Sequence, residues 1–76
     1  MTIVVERSVV PLRGVEPGSP VALEEGVSIR ELLRRYGNAA EDDASLMPVI
    51  NGQSKKLETI LRDGDRVSVY RLSAGG

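Results

Sequence analysis

The sequence of 76 residues predicts an α+β domain, with one main helix packed on one face of a mixed sheet of about four to five strands. Three observations carry that expectation. Only "GVSIRELLRRYGN" combines helically spaced apolar residues with a start signal and a stop. On either side of it lie short clusters of Val, Ile and Leu bounded by Pro, Gly, Asn and Asp, the pattern of strands joined by turns. The length admits a single domain, so helix and strands share one core.

Taken in order, "TIVVERSVV" is rich in β-branched residues and reads as the first strand, with Ile3 and Val5 on one face and Val4 and Glu6 on the other. Pro11, Gly14, Pro17, Gly18 and Pro20 mark "PLRGVEPGSP" as a loop. "VALEE" reads as a second strand, antiparallel to the first and ended by Gly26. In the helix, Ser28 and Glu31 form a capping box: Ser28 accepts from an early helix N–H and Glu31 reaches back to the Ser28 N–H. Val27 and Leu32 have the spacing of a hydrophobic staple. Ile29, Leu32, Leu33 and Tyr36 recur at helical spacing and face the sheet, while Arg30, Arg34 and Arg35 are largely solvated. Arg34 and Arg35 suit the negative end of the helix dipole, and Gly37 or Asn38 supplies the stop. "NAAEDDAS" is an acidic connection, and "LMPVING" is a third strand running into an Asn51-Gly52 turn. "QSKKL" is a short strand or turn, and "ETILRDGD" has room for a single helical turn ended by Asp63-Gly64. "RVSVYRL" is the last strand, with Val67 and Val69 alternating against Ser68 and Tyr70. The helical crossover between two hairpin-like halves lets the first and last strands lie parallel at the sheet centre.

Composition narrows the function. Without Cys or His there are no disulfides, no thiolate or imidazole metal ligands, and no base to activate Ser8, Ser19 or Ser68. A core this small argues against a deep private active site. Ten basic residues against eleven acidic ones leave a net charge of −1, which announces neither nucleic acid nor an anionic membrane as partner. No apolar run approaches ~18 residues, and "MTIVVERSVV" lacks a basic signal-peptide start, so a cytoplasmic protein is expected. The acidic stretches "EDD" at 41–43 and "DGD" at 63–65 read as a solvated loop and a turn, with no metal expected. Lys55-Lys56 reads as a solvated edge, and Gly14 and Gly18 do not open a helix, so no phosphate loop is supported.

The informative stretch is "VSVYRLSAGG". At average glycine usage two in succession arise by chance in roughly 1 case in 200. Without Cβ atoms, glycines make a thin ribbon with permissive backbone angles. Residues 72–76 extended would reach at most ~16–18 Å. Ser73, Ala74 and Gly75 are therefore read as a flexible tail that threads a narrow channel in another protein and delivers an α-carboxylate to a buried site. ATP bound by that partner would convert the carboxylate to an acyl-adenylate, from which a sulfur or amine nucleophile displaces AMP. The chain has no groups for this chemistry, so it is read as a substrate or carrier with no catalytic residue and no stably bound cofactor. The body, residues 1–72, serves as the handle, and Leu72, Arg71 and Tyr70 form the expected partner interface. Tyr70 reads equally as an interface anchor or as cover for the open sheet face, and Leu72 also reads as packing against the strand end.

Most of the chain resembles the ubiquitin-like sulfur carriers of the ThiS and MoaD type. "GVSIRELLRRYG", "PVING", "LRDGDRVSVYR" and the final "SAGG" carry the resemblance. It implies a β-grasp fold and adenylation of Gly76 by an E1-like enzyme of the ThiF or MoeB kind. A sulfur donor protein would then load a thiocarboxylate at Gly76. A sulfur-accepting synthase would take that sulfur for molybdopterin, the thiamine thiazole, thiolated tRNA or a related product. Relatives are also joined to protein lysines, so a ubiquitin-type modifier is a second expectation; a plain β-grasp interaction domain is a third.

Overall fold

A computed structural model of the chain describes residues 1–37 and 45–72. The elements are β1 (Thr2–Ser8), β2 (Pro20–Ala22), α1 (Ile29–Tyr36), β3 (Leu46–Ile50), β4 (Gln53–Ser54) and β5 (Arg66–Arg71). They form a five-stranded sheet in the order β2-β1-β5-β3-β4. β1 and β5 are parallel at its centre, and the other neighbours are antiparallel. This is the β-grasp arrangement that the resemblance implies: two hairpins joined through a helix, with the first and last strands side by side.

Alternation decides which face is buried. Ile3, Val5, Val67, Val69, Leu46 and Ile50 are buried on the helix side, where they meet Ile29, Leu32 and Leu33. The register pairs Val5 with Val67 and then slips between Val5 and Arg7. β1 ends at Ser8, two residues earlier than expected. The Ser8 hydroxyl accepts from the Val10 N–H at 3.1 Å and donates to the Val10 carbonyl at 2.7 Å, bending the chain so that Val10 still enters the core.

The second strand also departs from expectation. It starts at Pro20 and ends at Ala22, because Leu23 turns into the core and Glu24 turns to the helix, where it takes both guanidinium nitrogens of Arg35 at 2.7 and 2.8 Å. Pro20 is tolerated because β2 is an edge strand. At the hairpin after β3, Asn51 and Gly52 both have positive φ, 52° and 83°, as the tight turn requires.

The helix begins as expected, with the Ser28 hydroxyl accepting from the Glu31 N–H at 3.1 Å. The return contact differs: the Glu31 carboxylate accepts from the Ser28 hydroxyl at 3.3 Å. Val27 and Leu32 are both buried, as a staple requires. Further help comes from far along the chain. The Ile29 N–H donates to the Thr59 carbonyl and the Arg30 N–H to the Leu57 carbonyl, both at 3.0 Å. "ETILRDGD" therefore holds no helical turn. Ile60 bridges Ser28, and the Leu61 N–H donates to the Val27 carbonyl at 2.8 Å, so residues 59–61 are bonded to the helix entrance, while the Asp65 N–H closes the Asp63-Gly64 turn on the Arg62 carbonyl at 3.1 Å. Gly37 ends the helix with φ −104° and ψ −172°, an extended conformation open to any residue. What demands glycine there is space: a Cβ would collide with the Leu33 carbonyl oxygen and lie 3.0 Å from Val10 Cγ1. The acidic connection, Asn38 included, and the tail beyond Leu72 lie outside the described residues.

Candidate functional site

The expected site is where β5 leaves the sheet. Val67 and Val69, with no exposed surface, fasten the strand between β1 and β3. The ladder with β3 runs to Arg71, opposite Leu46. One more backbone bond follows, from the Leu72 N–H to the Ser45 carbonyl at 2.6 Å. Whatever follows Leu72 therefore starts from a firmly held root at the sheet centre.

Tyr70 is half-buried on the open face, opposite Met47. Ser68 is its neighbour on that face, opposite Val49. Strand alternation puts Arg71 on the other face, at the exposed end of the ladder, where its guanidinium donates to the Ser45 hydroxyl at 3.4 Å. Tyr70 and Arg71 thus flank the root from two sides and do not share the one adjoining surface expected for them. Leu72 is 50% exposed. It is one wall of an open groove of about 410 Å³ whose lining includes Leu46, Pro48, Leu57, Lys55 and Lys56. Ser73, Ala74, Gly75 and Gly76 lie outside the described residues.

Met47 and Val49 were not picked out as site residues, although the alternation of "LMPVI" places them opposite the buried Leu46 and Ile50. The groove has no such local signal, since it joins residues from β3, the turn after β4 and the end of β5. Two other depressions, of about 500 and 280 Å³, lie around Ile60 and Arg62 and around Val10 and Leu12, and neither includes a residue of the tail root.

Of the charged residues singled out earlier, Asp63, Asp65 and Arg30 have structural partners, and those at 41–43 lie outside the described residues. Asp63 accepts from the Thr2 N–H at 2.6 Å. Asp65 accepts from the Arg62 N–H at 2.8 Å and from the Asn51 side-chain amide at 3.1 Å. These bonds tie the Asp63-Gly64 turn to β1 and to the Asn51 turn. Arg30 holds Glu58 at 2.9 Å, and this hydrogen bond keeps the Glu58 carboxyl below its ordinary range. Among the described residues no helix is long and apolar enough to cross a membrane.

No protein-family model matches the chain, and no curated protein matches it. Among solved structures, the crystal structure of SAMP1 from Haloferax volcanii, a ubiquitin-like small archaeal modifier protein, aligns over 100% of both chains with a TM-score of 0.64 at 14% identity. At that identity the likeness is one of fold, and it agrees with the topology and register above: the chain folds as a ubiquitin-like β-grasp.

Proposed function

We propose that this protein is a small sulfur carrier. An E1-like enzyme adenylates the carboxyl group of Gly76, and a sulfur donor protein then converts it to a thiocarboxylate that a biosynthetic synthase consumes. The observation that carries this reading is the construction of the tail root. The central strand of a ubiquitin-like fold is bonded through Leu72, and the sequence then continues Ser73, Ala74, Gly75, Gly76, with no bulky side chain. In the chemistry, a carboxylate oxygen attacks the α-phosphorus of ATP and pyrophosphate leaves. The resulting mixed anhydride has AMP as a good leaving group, which hydrosulfide released from the donor protein displaces, forming the C–S bond as the C–O bond to AMP breaks. The folded body supplies recognition, and the partner supplies nucleotide, magnesium and catalytic groups.

A second reading shares the activation step. In it a lysine amine displaces AMP, so the chain becomes a protein modifier; the structural likeness to SAMP1, a modifier protein, favours it. ATP–pyrophosphate exchange with the host's activating enzyme tests both readings. The intact chain is expected to support exchange and a chain lacking Gly76 is not. Equal exchange by the two would refute activation at Gly76. Mass spectrometry of the purified protein separates the readings: replacement of one oxygen by sulfur marks the carrier, and lysine-linked adducts mark the modifier.

A further inference from the structure

We infer that the groove beside the tail root docks an extended acidic peptide segment of the partner protein that handles the tail. The partner's role rests on the activation reading above, whereas the groove's ligand chemistry does not.

The first support is an uncovered strand edge. β4 has two residues and covers only Val49 and Ile50 of β3. One further bond, from the Lys55 N–H to the Pro48 carbonyl at 3.0 Å, extends that cover. On the β5 side, Asn51 donates to the Arg66 carbonyl and Ser45 accepts from Leu72. The two-residue alternation of an antiparallel ladder then turns Ile50, Pro48 and Leu46 toward the β4 side. Leu46 is the one of these beyond the reach of β4, so its N–H and carbonyl turn toward the groove, where among the described residues no backbone group pairs with them. An extended segment adds naturally to such an edge.

The second support is charge. Lys55 and Lys56 are the only lysines in the sequence. Both are exposed on the groove's rim, and neither has an ion-pair partner among the described residues. Glu58, the carboxylate in the lining, is engaged by Arg30, so the rim presents positive charge to an incoming ligand. Between edge and rim lie Leu46, Pro48 and Leu57, with Leu72 as the exposed wall. A strand alternating carboxylate and apolar side chains complements all three features: backbone pairing at Leu46, carboxylates on the lysines, and apolar side chains against Leu57 and Leu72.

The test is an amide-resolved NMR titration of the full ¹⁵N-labelled chain. The probe is a short capped peptide of alternating leucine and glutamate, compared with the same peptide carrying glutamine for glutamate. Shifts are expected at Leu46, Lys55, Leu57 and Leu72 with the acidic peptide alone. Affinity is expected to fall several-fold between about 50 and 200 mM salt. K55E/K56E is expected to weaken binding by roughly tenfold or more, while K55R/K56R retains it. Absence of shifts, equal shifts with the glutamine peptide, or shifts gathered on Ser68 and Tyr70, which lie on the open face outside the groove, would overturn the inference. In the exchange assay, K55E/K56E should raise KM by roughly tenfold with kcat within about twofold. An unchanged KM would overturn docking by this partner and leave activation at Gly76 standing. Failure of the intact chain to support exchange would overturn activation, and the peptide titration would still decide the groove.

Discussion

Leu72→Asp separates a recognition residue from a core residue. Full burial of a leucine side chain contributes about 1.5–3 kcal/mol. Leu72 is 50% exposed, so its packing contributes roughly 1 kcal/mol. The new carboxylate would face Lys55 and Lys56 across the groove, which offsets part of that loss. In a domain of this size 1 kcal/mol corresponds to about 4–8 °C in Tm, so the variant should melt at most that much lower. If Leu72 seats in a pocket of the activating enzyme, burying an aspartate there should cost at least about 2 kcal/mol, roughly a thirtyfold rise in KM for exchange. Leu32→Ala supplies the opposite profile. Leu32 has no exposed surface, so its loss should cost about 2–5 kcal/mol, a large share of the roughly 4–11 kcal/mol available to a chain of this length. Assayed well below its melting temperature, Leu32→Ala should nonetheless keep a normal KM. Thermal melts by circular dichroism and exchange kinetics on the two variants decide the matter. If Leu72→Asp lowers Tm as much as Leu32→Ala does, or leaves KM unchanged, Leu72 is a packing residue and the interface is wrongly placed.

The other predictions concern the scaffold. Gly37→Ala places a methyl against the Leu33 carbonyl and Val10 at a backbone conformation that is itself unstrained. Overpacking of about 1–3 kcal/mol, offset by about 0.4–1 kcal/mol from the stiffer unfolded chain, should lower Tm by roughly 5–15 °C; an unchanged or raised Tm would contradict this. Ser28→Ala removes the acceptor for the Glu31 N–H and should cost about 1 kcal/mol, read as faster hydrogen exchange at Glu31. The hydrogen bonds from Arg35 pull the Glu24 carboxyl from its ordinary 4.5 down to about 2. A carboxyl lowered by folding contributes stability above its ordinary value and loses it as pH falls through the folded one. Tm should therefore decline as pH drops from 4.5 toward 2, less steeply in Glu24→Gln and less steeply in high salt; parallel pH profiles for the two proteins would remove Glu24 from the account.

Several features of this protein follow from the sequence alone because their signals are local. Ser28 and Glu31 mark the helix start within one turn. Asn51-Gly52 and Asp63-Gly64 mark turns through the positive φ that Asn and Gly tolerate. Strict alternation in "TIVV", "LMPVI" and "RVSVY" assigns the buried face of three strands. Local pattern reached as far as one helix on one face of a sheet; the particular strand order came from resemblance to known sulfur carriers, and the ladders bear it out.

Only the tertiary structure decided the remainder, because the deciding interactions join residues distant along the chain. Residues 57–61 have a helix-compatible composition, yet they run across the helix entrance, held there by backbone bonds to residues 27–30. Gly37 has the look of a conformational stop and is instead a steric one, set first by the Leu33 carbonyl oxygen and then by Val10 and Leu12, which the loop after β1 brings against it. Tyr70 and Arg71, adjacent in sequence, fall on opposite faces because β5 is held in its ladder to the end. The groove that joins Leu72 to Lys55, Lys56 and Leu57 exists only because β4 stops after two residues, a length set by the turn geometry and by where the chain must next go to cap the helix.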